Sequence, residues 1–228
     1  MQNKYVSNDS IDIHDGKFVY DADVYASSIY LFLKRLIDIL GSLIGIIILS
    51  PIFIIVAIAI KIEDPKGSIL FGQERNGKYP KTFKMYKFRS MVHNAEELLE
   101  KLKTQNEMTG PAFKMKNDPR ITKVGKFIRK TSIDELPQLI NILKGDMSFV
   151  GPRPPIPREV AEYDEYQLQR LSVKPGLTCY WQVSGRNNID FDEWIELDLK
   201  YIKERNIFLD IKLILMTVPA LLGDKNAS

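Results

Sequence analysis

Cysteine and histidine are nearly missing from this chain. The single cysteine, Cys179, rules out an intrachain disulfide and fits a reducing compartment. Two histidines, His14 and His93, leave almost no material for a histidine-rich metal site or a Ser-His-Asp triad. There is no Walker A loop, no G-x-G-x-x-G fingerprint and no H-E-x-x-H pair. A strong charge excess is missing too. A net charge of +3 over 228 residues does not imply nucleic acid, although it suits anionic small molecules or an anionic membrane surface. Repeats, low-complexity tracts and a linker between two soluble domains are also absent.

What the chain does have is one long apolar run. Ile39 to Ile60 carries no charge. Its roughly 22 residues would make a helix of about 33 Å, enough to cross a bilayer. It is too long for a cleaved signal peptide, and a buried core helix is the bland alternative. Ser50-Pro51 sits in the middle, where the proline predicts a kink. Cations flank both sides: Lys34 and Arg35 before, Lys61 and Lys66 after. Both ends on the cytoplasmic face would satisfy that charge pattern best, and this requires a break and return at Ser50-Pro51. A kinked single span stays open beside that re-entrant reading.

Elsewhere the pattern mixes strands and helices. Residues 1–28 are polar and read as a flexible or loosely docked arm. Ser68–Arg75 and Thr82–Met91 read as strands, with Asn76-Gly77 as a hairpin signal. Helices are expected over His93–Lys103, Ile121–Lys130, Glu135–Leu143, Glu159–Leu171, Phe191–Glu204 and Ile207–Leu222. Ile121–Lys130 is basic and amphipathic, so it suits a membrane surface or a core contact with a solvated face.

The sharpest local feature is Arg129-Lys-Thr-Ser132-Ile-Asp134-Glu135-Leu-Pro137-Gln138. Two adjacent carboxylates repel unless they share a cation. A hard divalent ion such as Mg2+, the usual companion of a nucleotide diphosphate, meets that need. The competing reading is a capping box, Ser132-x-x-Glu135, in which Asp134 only complements a helix dipole. Pro137 weighs against a cap at Ser132, because it would fall beyond the free donors of the first turn. Further on, prolines on both sides of Arg153 restrict the backbone and aim one guanidinium, a planar fork suited to phosphate oxygens. Lys174-Pro175-Gly176 and Gln182-Val-Ser-Gly-Arg186-Asn187 again combine glycine with a cation. Trp181 and Tyr180 could stack on a base, sit at a membrane interface or fill a core. Two Asp-x-Asp triplets, Asp21-Ala-Asp23 and Asp190-Phe-Asp192, are of a kind that holds metal–nucleotide sugars in some glycosyltransferases. The βαβ alternation of such a fold is missing here.

Taken in order, these motifs resemble the small monotopic phosphoglycosyl transferases, also called bacterial sugar transferases. The resemblance runs from about Leu33 to about Leu222. It includes Lys34-Arg35-Leu-Ile-Asp38, Ser50-Pro51, Tyr86-Lys87-Phe88-Arg89-Ser90-Met91 and Asp134-Glu135. It continues through Gly145–Pro154 and Gly185-Arg186-Asn187. Cys179-Tyr180-Trp181 departs from the Gly-Trp-Ala of many members. The resemblance implies a compact α/β membrane-associated domain. Its N-terminal element is a re-entrant helix-break-helix over 29–62, broken at Ser50 and Pro51, and amphipathic helices rest on the inner leaflet. The catalytic domain is then 63–228, on the cytoplasmic face of the bacterial inner membrane. Larger relatives carry a multi-span N-terminal domain that is expected to be absent here.

The chemistry the resemblance implies is transfer of a sugar 1-phosphate from a UDP-sugar to polyprenyl (undecaprenyl) phosphate, with UMP released. Asp134 is the expected nucleophile, Glu135 with Asp134 the expected Mg2+ ligands, and Arg129 and Arg153 the phosphate-positioning cations. Arg186 is expected at the nucleotide. Lys87, Arg89, Pro152, Pro154 and Gln182 are expected in substrate binding, with Asp198 and Asp210 in support. Membrane lipids are expected partners and nucleic acid is not; a homodimer stays open. Two rivals remain: a glycosyltransferase that uses an Asp-x-Asp triplet and releases UDP, and a non-enzymatic membrane adaptor.

Overall fold

The computed structural model describes residues 10–14, 17–102, 115, 118–183 and 189–223. The apolar run lies inside α1, Ser28–Glu63. Among the described residues, this helix alone is long and apolar enough to cross a membrane. Ile29, Phe32, Ile47 and Ile48 stand 63–72% exposed along it. So wide an uncovered apolar surface is compatible with membrane association. The expected break is not present in the secondary structure. Pro51 lies inside a helix that continues on both sides. A proline removes one donor and crowds one turn, which a helix held by many other bonds absorbs.

The chain divides into two compact units. The first holds the described residues up to Ile47, Gly72–Met85 and those from Gln138 on; the second holds Ile48–Phe71 and Tyr86–Pro137. Among the described residues, the strands form three two-stranded sheets. Strands β1 (Ser10–His14) and β2 (Lys17–Tyr20) pair antiparallel, and β3 (Leu70–Asn76) pairs with β4 (Thr82–Phe88). Helices α2 (Ala95–Leu102), α3 (Lys123–Lys130) and α4 (Gln138–Lys144) follow. Strand β5 (Ser148–Val150) pairs in parallel with β6 (Gly176–Thr178), and between them lie the short helices α5 (Pro157–Val160) and α6 (Glu165–Leu168). Helices α7 (Tyr180–Val183), α8 (Phe191–Glu204) and α9 (Ile207–Gly223) end the order.

In the first unit, the start of α1 is held by polar side chains. Lys34 Nζ donates to Val150 O at 2.9 Å, to the Tyr201 hydroxyl at 3.1 Å and to Asp210 Oδ2 at 2.8 Å. Arg35 donates to the carbonyls of Ile142 and Leu143, both at 2.8 Å, at the C-terminal end of α4. Asp38 Oδ1 accepts from Ser148 Oγ and Phe149 N, both at 2.9 Å. These bonds give the Lys34-Arg35-x-x-Asp38 motif its role: three neighbours on one helix face tie α1 to α4, β5 and α9. At the ends of β5 and β6 only glycine fits. A Cβ on Gly176 would stand 2.1 Å from Gly151 N, and one on Gly151 would stand 2.5 Å from Lys174 O.

In the second unit, the later turns of α1 are held by apolar packing. Val56, Ile60, Phe88 and Ile128 form a buried cluster, with Phe53 edge-on to Phe88 at 5.3 Å. Glu63 accepts from the backbone N–H of Lys123 at 2.7 Å and Val124 at 2.9 Å, and so stabilises the open donors of α3. The α3 stripe is therefore a core contact at Ile128, while Phe127 remains 61% exposed.

Several expected boundaries move. Part of the polar arm is docked: β2 pairs, and Val19 is buried against Tyr163, Leu168 and Leu171. The β3–β4 connection is not a two-residue turn at Asn76-Gly77; Gly77 N donates to Lys81 O, which closes a longer loop. The single helix expected over Glu159–Leu171 is split. Asp164 starts a new one by accepting from Gln167 N, while Gln167 accepts from Asp164 N. Helix α8 coincides with the expected Phe191–Glu204.

Candidate active site

Asp134 and Glu135 stand in a short 3-10 turn, Ile133–Glu135, just after α3. Ser132 precedes it in the left-handed region, with φ 55° and ψ 15°, and makes no side-chain capping bond. The capping-box alternative therefore fails. A residue folded left-handed at this point reverses the chain instead of opening a helix, and it carries a modest strain. Ile133 and Leu136 pack on the Val56–Phe88–Ile128 cluster. That packing sets the turn so that Asp134 is buried at 9% exposure. Helix α4 starts only at Gln138, so Pro137 lies before it and removes no helix bond.

The electrostatics of the pair are asymmetric. Lys87, at the end of β4, reaches Glu135 Oε1 at 2.6 Å. Burial pushes the Asp134 carboxyl up to about 6, and the charge of Glu135 adds to this. Lys87 and Arg129 oppose the shift without cancelling it. Near neutral pH Asp134 is thus an ionised carboxylate held in poor solvation with only partial charge compensation, which favours nucleophilic attack. Among the described residues, no group of three or more His, Cys, Asp or Glu is placed to hold a metal ion. The two carboxylates suit a Mg2+ ion that keeps waters and substrate phosphates as its other ligands, not one caged wholly by protein. Arg89 is turned elsewhere: its guanidinium donates to Ser68 O at 2.8 Å and Ser68 Oγ at 2.6 Å.

The first unit carries the Arg153 loop. Each of four consecutive carbonyls there accepts a hydrogen bond. Pro152 O accepts from Gly176 N at 2.9 Å, and Arg153 O from Arg170 Nη2 at 3.3 Å. Pro154 O accepts from Arg75 Nη1 at 3.0 Å, and Pro155 O from Asn76 N at 2.9 Å. Pro152 and Pro154 are buried, and the guanidinium of Arg153 lies 5.6 Å from the centre of the Trp181 ring. Arg153, Arg75, Arg158, Trp181 and Trp194 border a cavity of about 500 Å³. Three arginines and two indoles suit an anion joined to a flat or ring-shaped group.

Behind the loop Asp198, expected in support of the site, is paired with Arg170, which no motif marked. Arg170 and Asp198 are both fully buried and meet at 2.5 Å. The Arg170 guanidinium also lies over Trp194 at 4.6 Å and donates to the Tyr163 hydroxyl at 2.9 Å. Asp198 is therefore closed to any substrate. Asp210 is likewise buried beneath Lys34, Tyr30 and Tyr201. Gln182 is buried in α7, with Nε2 directed at Leu177 O at 3.4 Å. Arg186 falls outside the described residues. Three of the four Asp-x-Asp carboxylates have structural partners: Asp190 caps α8 by accepting from Glu193 N, and Asp21 and Asp23 both pair with Lys78.

The family model described as "Bacterial sugar transferase" matches residues 29–224. The chain belongs to the bacterial sugar transferase family. Among its relatives is the galactosyl transferase CpsE of Streptococcus agalactiae serotype III, 49% identical over 208 residues, covering 89% of this chain and 46% of that protein. The undecaprenyl-phosphate galactose phosphotransferase of Salmonella typhimurium is 45% identical over 195 residues, covering 84% and 40%. The exopolysaccharide production protein ExoY of Rhizobium meliloti is 38% identical over 191 residues, covering 82% and 84%. The chain thus spans less than half the length of the first two relatives and most of the third. The bacterial sugar transferase match contains α1, the Asp134-Glu135 turn and the Arg153 loop.

Proposed function

We propose that this chain moves a sugar 1-phosphate from a UDP-sugar to polyprenyl phosphate, with Asp134 as the nucleophile. The observation that carries the reading is the buried Asp134 carboxyl, raised to about 6 beside Lys87 and Arg129. A carboxylate of that kind is ionised at neutral pH and poorly solvated, and it needs no histidine base. An oxygen of Asp134 attacks the phosphorus that bears the sugar. The bond from that phosphorus to the bridging oxygen breaks, and UMP leaves with the electron pair. A phosphate oxygen of the polyprenyl phosphate then attacks the same phosphorus. Asp134 is freed, and a polyprenyl diphosphosugar is formed. Arg129 holds phosphate oxygens at the carboxylate, and Arg153 is an anion-binding group of the first unit. Bound Mg2+, held by Glu135 and Asp134, would supply neutralisation of the diphosphate charge. The name of the Salmonella relative supports this acceptor, and the name of the Rhizobium relative supports a place in exopolysaccharide production.

Incubation with a UDP-sugar and no acceptor tests the covalent step. The expected result is one burst equivalent of UMP and a phosphosugar adduct on the peptide containing Asp134. UMP formed only when acceptor is present, with no adduct, would mean direct transfer. Release of UDP instead would return the reaction to a simple glycosyltransferase.

The same reading places α1 in the inner membrane as a re-entrant element bent at Ser50-Pro51, with both ends cytoplasmic. The cations on both flanks support it. Reporter tags placed at the N-terminus and after Lys61 are then both cytoplasmic; a periplasmic N-terminal tag would make α1 a single span.

A further inference from the structure

The polar face at the start of α1 opens a second cavity, in the first unit and apart from the Arg153 loop. It has a volume of about 130 Å³, and its charged lining is Lys34, Arg35, Lys174, Arg205, Asp23 and Asp38. Most of these charges are already used. All three donors of Lys34 are taken by Val150 O, Tyr201 and Asp210. Arg205 pairs with Asp23 at 2.8 Å, and Asp23 also takes Lys78. Asp38 is occupied by Ser148 and Phe149 N. Two cations stand out. Arg35 donates only to neutral carbonyls, and the carboxylate whose charge acts on it is Asp38, which also acts on Lys174. Lys174 is half-buried and makes neither a hydrogen bond nor an ion pair among the described residues. Burial first, and Arg35 next, push its ammonium below the usual lysine range; Asp38 and Asp23 oppose this. With Asp23 taken by Arg205 and Lys78, Arg35 and Lys174 share one carboxylate, Asp38, and the positive charge left over is costly for a fold to keep.

The surroundings narrow the class of missing anion. The cavity shares the first turns of α1 with Ile29, Phe32, Leu36 and Ile39, which are exposed apolar side chains. An anion that carries hydrocarbon chains would satisfy the cations and cover that surface together. Asp23 and Asp38 in the lining disfavour a dianion, so a singly charged phosphodiester suits the cavity better than a phosphomonoester. We propose that this cavity holds the phosphodiester headgroup of an anionic membrane phospholipid, with Lys174 and Arg35 on the phosphate oxygens and the lipid chains along α1. The site does not depend on the transfer reaction.

Thermal unfolding of the full chain in neutral detergent tests it, with dioctanoyl phosphatidylglycerol as the probe. Dioctanoylglycerol, inorganic phosphate and geranylgeranyl phosphate serve as separate arms. Lys174 makes no bond that the fold needs, so Lys174→Gln keeps the fold. The expected result is a saturable rise in Tm with phosphatidylglycerol, whose midpoint moves by about tenfold or more in Lys174→Gln and returns in Lys174→Arg. Dioctanoylglycerol should act equally on all three proteins. An unchanged midpoint in Lys174→Gln overturns the proposal. So does an equal effect from inorganic phosphate, which would make this a free-anion site. A Lys174-dependent preference for geranylgeranyl phosphate also overturns it, because the ligand would then be of the acceptor type.

Discussion

Asp134 and Asp198 are both buried aspartates whose carboxyls burial raises to about 6, yet their surroundings differ. Asp198 has a dedicated partner, Arg170, at 2.5 Å, and both side chains are fully enclosed. Asp134 has two cations nearby, but the closer contact of Lys87 goes to Glu135. The lesson is that a raised carboxyl does not by itself mark chemistry. A paired and sealed one is a strut; one left without its own partner can attack.

Substitutions should separate the two. Asp134→Asn is expected to abolish UMP release, by a factor on the order of a thousand or more. The fold should remain. The raised carboxyl favours the folded state fully only below about pH 4, and that contribution is lost as pH rises through about 6. Asparagine does not titrate, so Tm measured against pH should be flatter between pH 4 and 6 for Asp134→Asn than for the parent. Asp198→Asn should act the other way. It leaves Arg170 as a buried, unpaired cation and costs on the order of 3 kcal/mol of stability, read as a large fall in Tm. Equal loss of Tm in both variants would erase the contrast. A smaller effect concerns pH alone. The burst of UMP should fall about tenfold from pH 7 to pH 5, as Asp134 protonates around 6. Lys87→Met removes an opposing positive charge, so this limb should move to higher pH. A limb that stays in place would assign it to another group.

How much of this could be read from residues alone follows the range of the interactions. Asp134-Glu135 and Pro152-Arg153-Pro154 were legible because their chemistry is written in adjacent positions. The capping box at Ser132 has the right letters, but its geometry fails because Ser132 folds left-handed. Arg170 was hidden within a stretch expected to be one helix, and its partner lies 28 positions away. No local pattern announces such a contact. The arm reads as flexible or loosely docked, and the residues that Val19 packs on, Tyr163, Leu168 and Leu171, carry no local signal because they are remote in sequence. The Lys34-Arg35-x-x-Asp38 motif was visible, but its partners on α4, β5 and α9 were not.

The four fixed carbonyls from Pro152 to Pro155 have a consequence for affinity. A flexible loop loses backbone entropy when a ligand arrests it, roughly 1–2 kcal/mol for each residue that is frozen. Here Gly176, Arg170, Arg75 and Asn76 impose that loss when the chain folds. Under the proposed function, Arg153 would meet an anion already ordered at the backbone, and more of the binding energy would survive as affinity. A change at Arg170 that never touches the ligand would loosen this arrangement, and the site would weaken through disorder with every contacting residue still in place.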